Sequence, residues 1–252
     1  MGYFTKGVSN TKTAKMAGEL KIESLILHLA PARLSGHNMC PMASKGCEAA
    51  CLNTAGRGQF DSTQLARIAK TQKFMADKIG FTNDLGREIA ALVRRCEKNG
   101  TLAAVRLNGT SDVRWENQPV TVNGETFDNL MLAFPTVQFY DYTKIPNRRN
   151  IPANYDLTFS LSENNDAHAI AALARGLNVA VVFDKVPETW SGYRVIDGDE
   201  NDFRFLDDRG VIVGLKAKGK ARKDDSGFVR SHLDGFDPSR KIVVAWQVTN
   251  AA

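Results

Sequence analysis

Short β-rich runs recur along the chain, and most of them stop at a polar cluster. "SLILHLAP" (residues 24–31), "LAAVRLNG", "TVQFYDY", "DLTFSLS", "LNVAVVFD", "YRVIDGD", "GVIVGLKA" and "KIVVAWQV" (residues 241–248) are the eight candidate strands. Polar groups follow at Asn108–Asp112, Asp141–Lys144, Ser160–Asn165, Asp184–Lys185, Asp197–Asp202 and Lys216–Lys220. Between the first two runs, "DSTQLARIAKTQKFMADKIG" opens with an Asp/Ser cap, keeps apolar residues at helical spacing and stops at Gly80. "TNDLGREIAALVRRCEKNG" is a second helix with basic residues near its C-terminal end, as the helix dipole favours. "NNDAHAIAALARGL" is a third. Strands with helices between several of them predict an α/β chain: a single-domain, complete or partial (β/α) barrel of mostly parallel strands over residues 1–252. Polar residues just beyond the strands then mark the C-terminal face, where such folds place their sites.

The length of 252 residues suits one large core, with no linker or internal repeat to divide it. No apolar run reaches the ~18 residues of a membrane span. The start "MGYFTKGVSNTKTAK" has no apolar signal core, which predicts a cytoplasmic protein (host cytoplasm, if phage encoded). A net charge of +5 and a sequence pI of about 9.0 are compatible with an anionic partner such as nucleic acid, a nucleotide or a phosphorylated metabolite, and equally with none. Composition leaves the oligomeric state open.

Three of the four cysteines fall within "HNMCPMASKGCEAACLNTAGRG", residues 37–58. In an intracellular chain they read as metal ligands or buried thiols rather than disulfides. Cys40, Cys47 and Cys51 have no second C-x-x-C to complete a closed zinc site. His37 is a candidate fourth ligand. A cubane cluster on three cysteines instead leaves one iron open for a cofactor or substrate. "CEAAC" as one helical turn puts Cys47 and Cys51 on one face. Iron–sulfur, zinc and unliganded thiols therefore all remain open, with the cluster preferred. Cys96, alone in "LVRRCEKNG", reads as a helix thiol packed in the core.

A cysteine loop directly after the first barrel strand resembles the arrangement of radical S-adenosylmethionine enzymes. "CPMASKGCEAAC" is similar to the C-x6-C-x2-C pattern of phage three-cysteine-motif proteins, with their S-x-G-C, but carries one extra residue before the last cysteine. "VRLNGTSDVRWENQPV", "VQFYDYTKIPNR" and "LTFSLSENND" resemble later segments of that family, in order, over residues 24–166. The blocks "LNTAGRG", "RLNGTSD", "FYDYTK" and "GLKAKG" resemble a phage gene-product family of unassigned function. The resemblance implies a radical-SAM-like barrel holding a [4Fe–4S] cluster on Cys40, Cys47 and Cys51, S-adenosylmethionine as cofactor, and a reductant protein as partner.

Under that implication, "LNGTSD" and "SLSENN" supply the cofactor contacts. Gly109 permits close backbone approach, and Asn108, Thr110, Ser111 and Asp112 offer polar groups. Ser160, Ser162, Glu163 and Asn164 do so at the next strand end, with Lys144 and Arg106 as partners for a carboxylate. Asp112, Asp141 and Asp197 are the candidate catalytic carboxylates. "LKAKGKARKDDSGFVR" places Lys216, Lys218, Lys220, Arg222 and Lys223 in a basic, flexible loop over residues 216–230, able to grip phosphates or simply solvated. Two other classes stay in play. One is a base-exchange or hydrolytic enzyme of nucleic acid that uses the strand-end aspartates beside structural zinc. The other is a non-catalytic, zinc-stabilised nucleic-acid-binding protein.

Overall fold

The computed structural model describes residues 2–7 and 19–239. Its strands are β1 (Phe4–Lys6), β2 (Ile22–Leu27), β3 (Leu102–Arg106), β4 (Val120–Val122), β5 (Glu125–Phe127) and β6 (Gln138–Thr143). They continue with β7 (Tyr155–Ser160), β8 (Val179–Phe183), β9 (Thr189–Trp190), β10 (Tyr193–Asp197) and β11 (Ile212–Lys216). The α-helices are α1 (Lys45–Ala49), α2 (Asp61–Ala76), α3 (Lys78–Asn99), α4 (Leu130–Ala133) and α5 (Asp166–Ala174). Seven of the eight expected strands are present, and the eighth, residues 241–248, lies outside the described residues.

Nine strands form one sheet in the order β1-β2-β3-β6-β7-β8-β11-β10-β9. From β2 to β10 every neighbouring pair is parallel, while β1 and β9 add antiparallel edges. The fold is therefore mixed α/β with a large, mostly parallel sheet. It departs from a closed barrel in two respects. Among the described residues no pairing joins β1 to β9, and β11 inserts between β8 and β10, so the last strands do not follow chain order.

Strand alternation gives the sheet two different faces. Leu25, Leu27, Val105 and Phe139 pack with Phe74, Phe81, Leu85, Ile89 and Leu92 of α2 and α3. Cys96 belongs to this cluster, as a core thiol should. Phe159, Val179, Val181 and Ile212 form a second cluster with Ala169, Ala172 and Leu173 of α5. The alternate residues Ile26, Arg106, Tyr142, Val182 and Leu215 turn to the other face and line a cavity.

The boundary between the two long helices falls at Asp77 rather than Gly80. Asp77 leaves helical geometry (φ −147°, ψ 88°), and its carboxylate accepts from the Gly80 N–H at 2.9 Å. Gly80 is thus in the first turn of α3. β4 and β5 form a small separate hairpin whose Asn123 and Gly124 both have positive φ (52° and 84°), as a tight two-residue hairpin turn requires. No helix among the described residues is long and apolar enough to cross a membrane.

Candidate functional site

A cavity of about 980 Å³ opens at the C-terminal ends of the parallel strands, large enough for a cofactor together with a small substrate. Cys40, Cys47 and Cys51 all line it. The segment carrying them is fixed by its own polar residues. Ser44 caps α1 by accepting from the Cys47 N–H at 3.2 Å, and its hydroxyl donates to Glu163 Oε2 at 2.6 Å. The other Glu163 oxygen accepts from the Gly46 N–H at 2.8 Å. The serine and glycine of "SKGC" are thus both bonded to one carboxylate from the turn after β7. On the other side, the Asp112 N–H donates to the Met39 carbonyl at 2.8 Å, which ties the loop to the turn after β3.

Two of the sulfurs accept main-chain hydrogen bonds. The Ala32 N–H donates to Cys40 Sγ at 3.3 Å, and the Asn53 N–H to Cys51 Sγ at 3.5 Å. Burial pushes the Cys40 thiol up to about 12, with the neighbouring Cys47, Asp112 and Cys51 adding to the rise. Burial also raises the Cys51 thiol, against the opposing effect of the Asn53 N–H. Among the described residues no three His, Cys, Asp or Glu side chains converge on a point that would hold one metal ion. His37 is exposed and does not line the cavity.

The expected cofactor-binding residues divide into those that line the cavity and those that build its walls. Asn108, Gly109, Thr110, Ser111, Asp112, Lys144 and Ser160 line it, as does Arg106. Several are already committed to each other. Asn108 Oδ1 accepts from Ser111 Oγ, the Val113 N–H and Trp115 Nε1 at 2.9–3.1 Å, which makes the turn rigid. The close approach that Gly109 permits is to protein rather than ligand. A Cβ there would stand 2.7 Å from the Leu27 carbonyl oxygen and 2.9 Å from Ile26 Cγ2. Thr110 donates to the Leu29 carbonyl at 2.6 Å, and its own carbonyl faces Cys40 Sγ at 3.8 Å. Lys144 Nζ donates to Ser160 Oγ at 2.6 Å. Arg106 pairs with Asp202 at 2.8 Å and stacks over Tyr142. Ser162, Glu163 and Asn164 lie outside the lining. Ser162 bonds to Asn164 at 3.1 Å, while Glu163 holds the cysteine segment.

The three aspartates are not gathered in one place. Asp112 lines the cavity and accepts from Thr143 Oγ1 and the Lys144 N–H, both at 2.8 Å; burial raises its carboxyl. Asp141 is buried beneath, accepting from the Asn108 N–H at 2.7 Å and Tyr155 Oη at 2.7 Å, and burial lifts it to about 7. Asp197 is exposed, outside the lining, and accepts from the Asp199 N–H at 2.7 Å. Asp199 and Asp202, further along the same segment, line the cavity instead.

Sequence reasoning passed over the opposite wall. His28 lines the cavity just past β2, and burial with the nearby Arg67, Arg106 and Lys70 cations pushes its imidazole down to about 3. Arg67 and Lys70 sit a helical turn apart on α2, and Arg57 precedes them. The i, i+3 spacing in "LARIAK" was a visible signal, but nothing in the sequence says which face of that helix meets a cavity.

The basic segment 216–230 closes the remaining side. Its short 3-10 turn Gly219–Lys223 and Phe228 pack beside Cys47, with Ala221 and Phe228 clustered against Ala50 and Cys47. Lys216 and Lys218 line the cavity, whereas Lys220, Arg222 and Lys223 do not.

No curated protein and no solved structure matches the chain. The family described as Gene product 88 matches residues 4–232, nearly the full length and every element of the cavity, and the chain belongs to that family.

Proposed function

We propose that the protein is an iron–sulfur enzyme of the radical S-adenosylmethionine type, working on a phosphate-bearing substrate in phage biology. One observation carries this reading: three thiols line a single cavity at the C-terminal ends of parallel strands. The donor chemistry fits a cluster. Thiolate is a soft ligand suited to iron–sulfur centres, and N–H groups donating to Cys40 and Cys51 sulfur stabilise coordinated thiolate. A cubane also takes its thiolates further apart than a single ion does. A partial barrel of mostly parallel strands is the scaffold that the sequence resemblance implies.

When bound, the cluster and S-adenosylmethionine would supply one-electron chemistry and a reactive radical, and a reductant protein would deliver the electron. Cys40, Cys47 and Cys51 would hold the cluster. Lys144 offers a cation for the cofactor's carboxylate. Ser111, the Thr110 carbonyl and Asp112 offer a hydroxyl and acceptors for its amino group. The segment 216–230 lays Phe228 and Ala221 against Cys47, an apolar cover on that side of the thiols. The hydrolytic alternative would rest on Asp112, since Asp141 is buried beneath the cavity and Asp197 lies outside its lining.

The test is anaerobic purification with iron, sulfide and zinc analysis, followed by reduction in the presence of S-adenosylmethionine. Iron and sulfide with cleavage of the cofactor are expected. Stoichiometric zinc without iron would overturn the reading. Cys40→Ala, Cys47→Ala and Cys51→Ala should each abolish cluster loading and its visible absorbance, and Cys96→Ala should not.

A further inference from the structure

The walls of the cavity carry more positive charge than its own acids balance. Among the described residues its carboxylates are Asp112, Asp199 and Asp202. Asp202 pairs with Arg106 at 2.8 Å and Asp199 with Lys218 at 2.6 Å. Arg57, Arg67 and Lys70 remain on one wall, with no ion pair to any of these acids. Arg67 is the telling member. It is only 8% exposed, its Nη1 donates to the neutral Asn53 Oδ1, and its Nε meets no acceptor among the described residues. The anion that acts on it is the ionised form of the Cys51 sulfur, which leaves its Nε unpaired, and a buried guanidinium short of a full anionic partner is costly unless a ligand supplies one. Lys70 donates to the Tyr3 carbonyl at 3.0 Å and has one acid near it, Glu88, whose oxygens are already taken by the Tyr3 and Phe4 N–H groups.

The same wall holds the first turn of α2, a helix of 16 residues whose N-cap, Phe60, makes no side-chain cap bond. Ser62 and Thr63 of that turn line the cavity. Two hydroxyls and three cations on one wall, beside a helix start whose own acid Asp61 is exposed and outside the lining, make a donor set suited to a phosphate. A cluster on three thiolates together with a sulfonium cofactor is close to neutral overall, so those groups would leave this excess charge in place.

We propose that the α2 wall, with Arg67 at its centre flanked by Arg57 and Lys70, is a phosphate-binding subsite, and that the molecule acted on beside the thiols is a small phosphomonoester, for which nucleoside monophosphates are the probe. Burial favours a terminal phosphate over a nucleic-acid strand. A strand crossing the rim would meet the exposed Arg57, whereas only a group that enters the cavity reaches Arg67. The word "substrate" rests on the reading above; binding to this wall does not, because none of its residues is a thiol.

The experiment is isothermal titration of the metal-free full chain with AMP, GMP, CMP and UMP, their parent nucleosides, inorganic phosphate and a single-stranded oligonucleotide. At least one monophosphate should bind about tenfold or more tighter than its nucleoside, and tighter than inorganic phosphate. Arg67→Gln and Lys70→Gln should each lower that affinity by about tenfold. Lys220→Gln, on the exposed side of the basic segment, should leave it unchanged. Lys70→Gln keeps the test decisive if the Arg67 variant does not fold. Equal affinity for nucleoside and nucleotide, equal affinity for inorganic phosphate, or undiminished affinity in Lys70→Gln would overturn the proposal. An oligonucleotide that binds more tightly than every mononucleotide would replace it with a nucleic-acid substrate. Iron loading without nucleotide binding would sink this inference alone, and nucleotide binding with zinc in place of iron would sink only the enzyme reading.

Discussion

Glu163 shows how much of the site depends on residues that never face it. One carboxylate accepts from both Ser44 and Gly46, and so fixes the turn that presents Cys47. Glu163→Ala strands two donors, and should lower stability by about 1–3 kcal/mol in urea unfolding while reducing iron uptake. Glu163→Gln, which keeps one acceptor, should fall between the two. Asp141 gives a prediction in pH. Its folded value of about 7 lies above the ordinary carboxylate range, because burial outweighs its donors. Its contribution to stability is therefore complete below about pH 4 and is lost as pH rises through about 7, since the unfolded chain ionises first. Melting temperature should fall across that window in the wild type. In Asp141→Asn the fall should be shallower, from a lower starting stability, because an amide cannot accept from all the donors that surround it.

At the scale of elements, the sequence disclosed strands and helices well and their partners poorly. Seven strands and three helices stood where hydrophobic rhythm put them. The helix break at Asp77 was misplaced because Gly80 resembles a stop signal, yet an aspartate cap three residues earlier turns that glycine into part of the next helix. The β4–β5 hairpin carried its Asn-Gly signature openly, inside a stretch too short to look like a sheet. The basic segment left phosphate binding and plain solvation equally open, because its lysines dominate the composition, and two apolar anchors, Ala221 and Phe228, place it against Ala50 and Cys47. Phe228→Ala should cost about 3 kcal/mol by cavity formation and speed alkylation of Cys47, as followed by mass spectrometry. Gly109→Ala should cost about 1–3 kcal/mol, read in thermal unfolding, because its Cβ would press 2.7 Å from the Leu27 carbonyl oxygen.

Across the whole molecule, the two largest apolar clusters among the described residues share one sheet, and the β6–β7 ladder joins them. Its register runs unbroken from Phe139↔Tyr155 to Thr143↔Phe159. Amides of β6 and β7 should therefore exchange slowest in hydrogen-exchange mass spectrometry, and those of the β9–β10 edge fastest. The exchange of order between β10 and β11 was not legible, because strand sequence encodes burial and not lateral position. The Arg67 wall was hidden for a similar reason, since a cation's partner is decided by tertiary placement.

The seating of the cysteine turn on Glu163 also bears on how the protein matures. Its turn is held by side chains and main chain of the protein itself, so the metal-free chain is expected to keep its fold, which circular dichroism of the apo-protein checks. Under the proposed function, a cluster would be handed to an already finished host. A donor of iron and sulfide would have to enter beneath the Phe228 segment, and the opening of that segment, rather than chain collapse, would set the pace of activation.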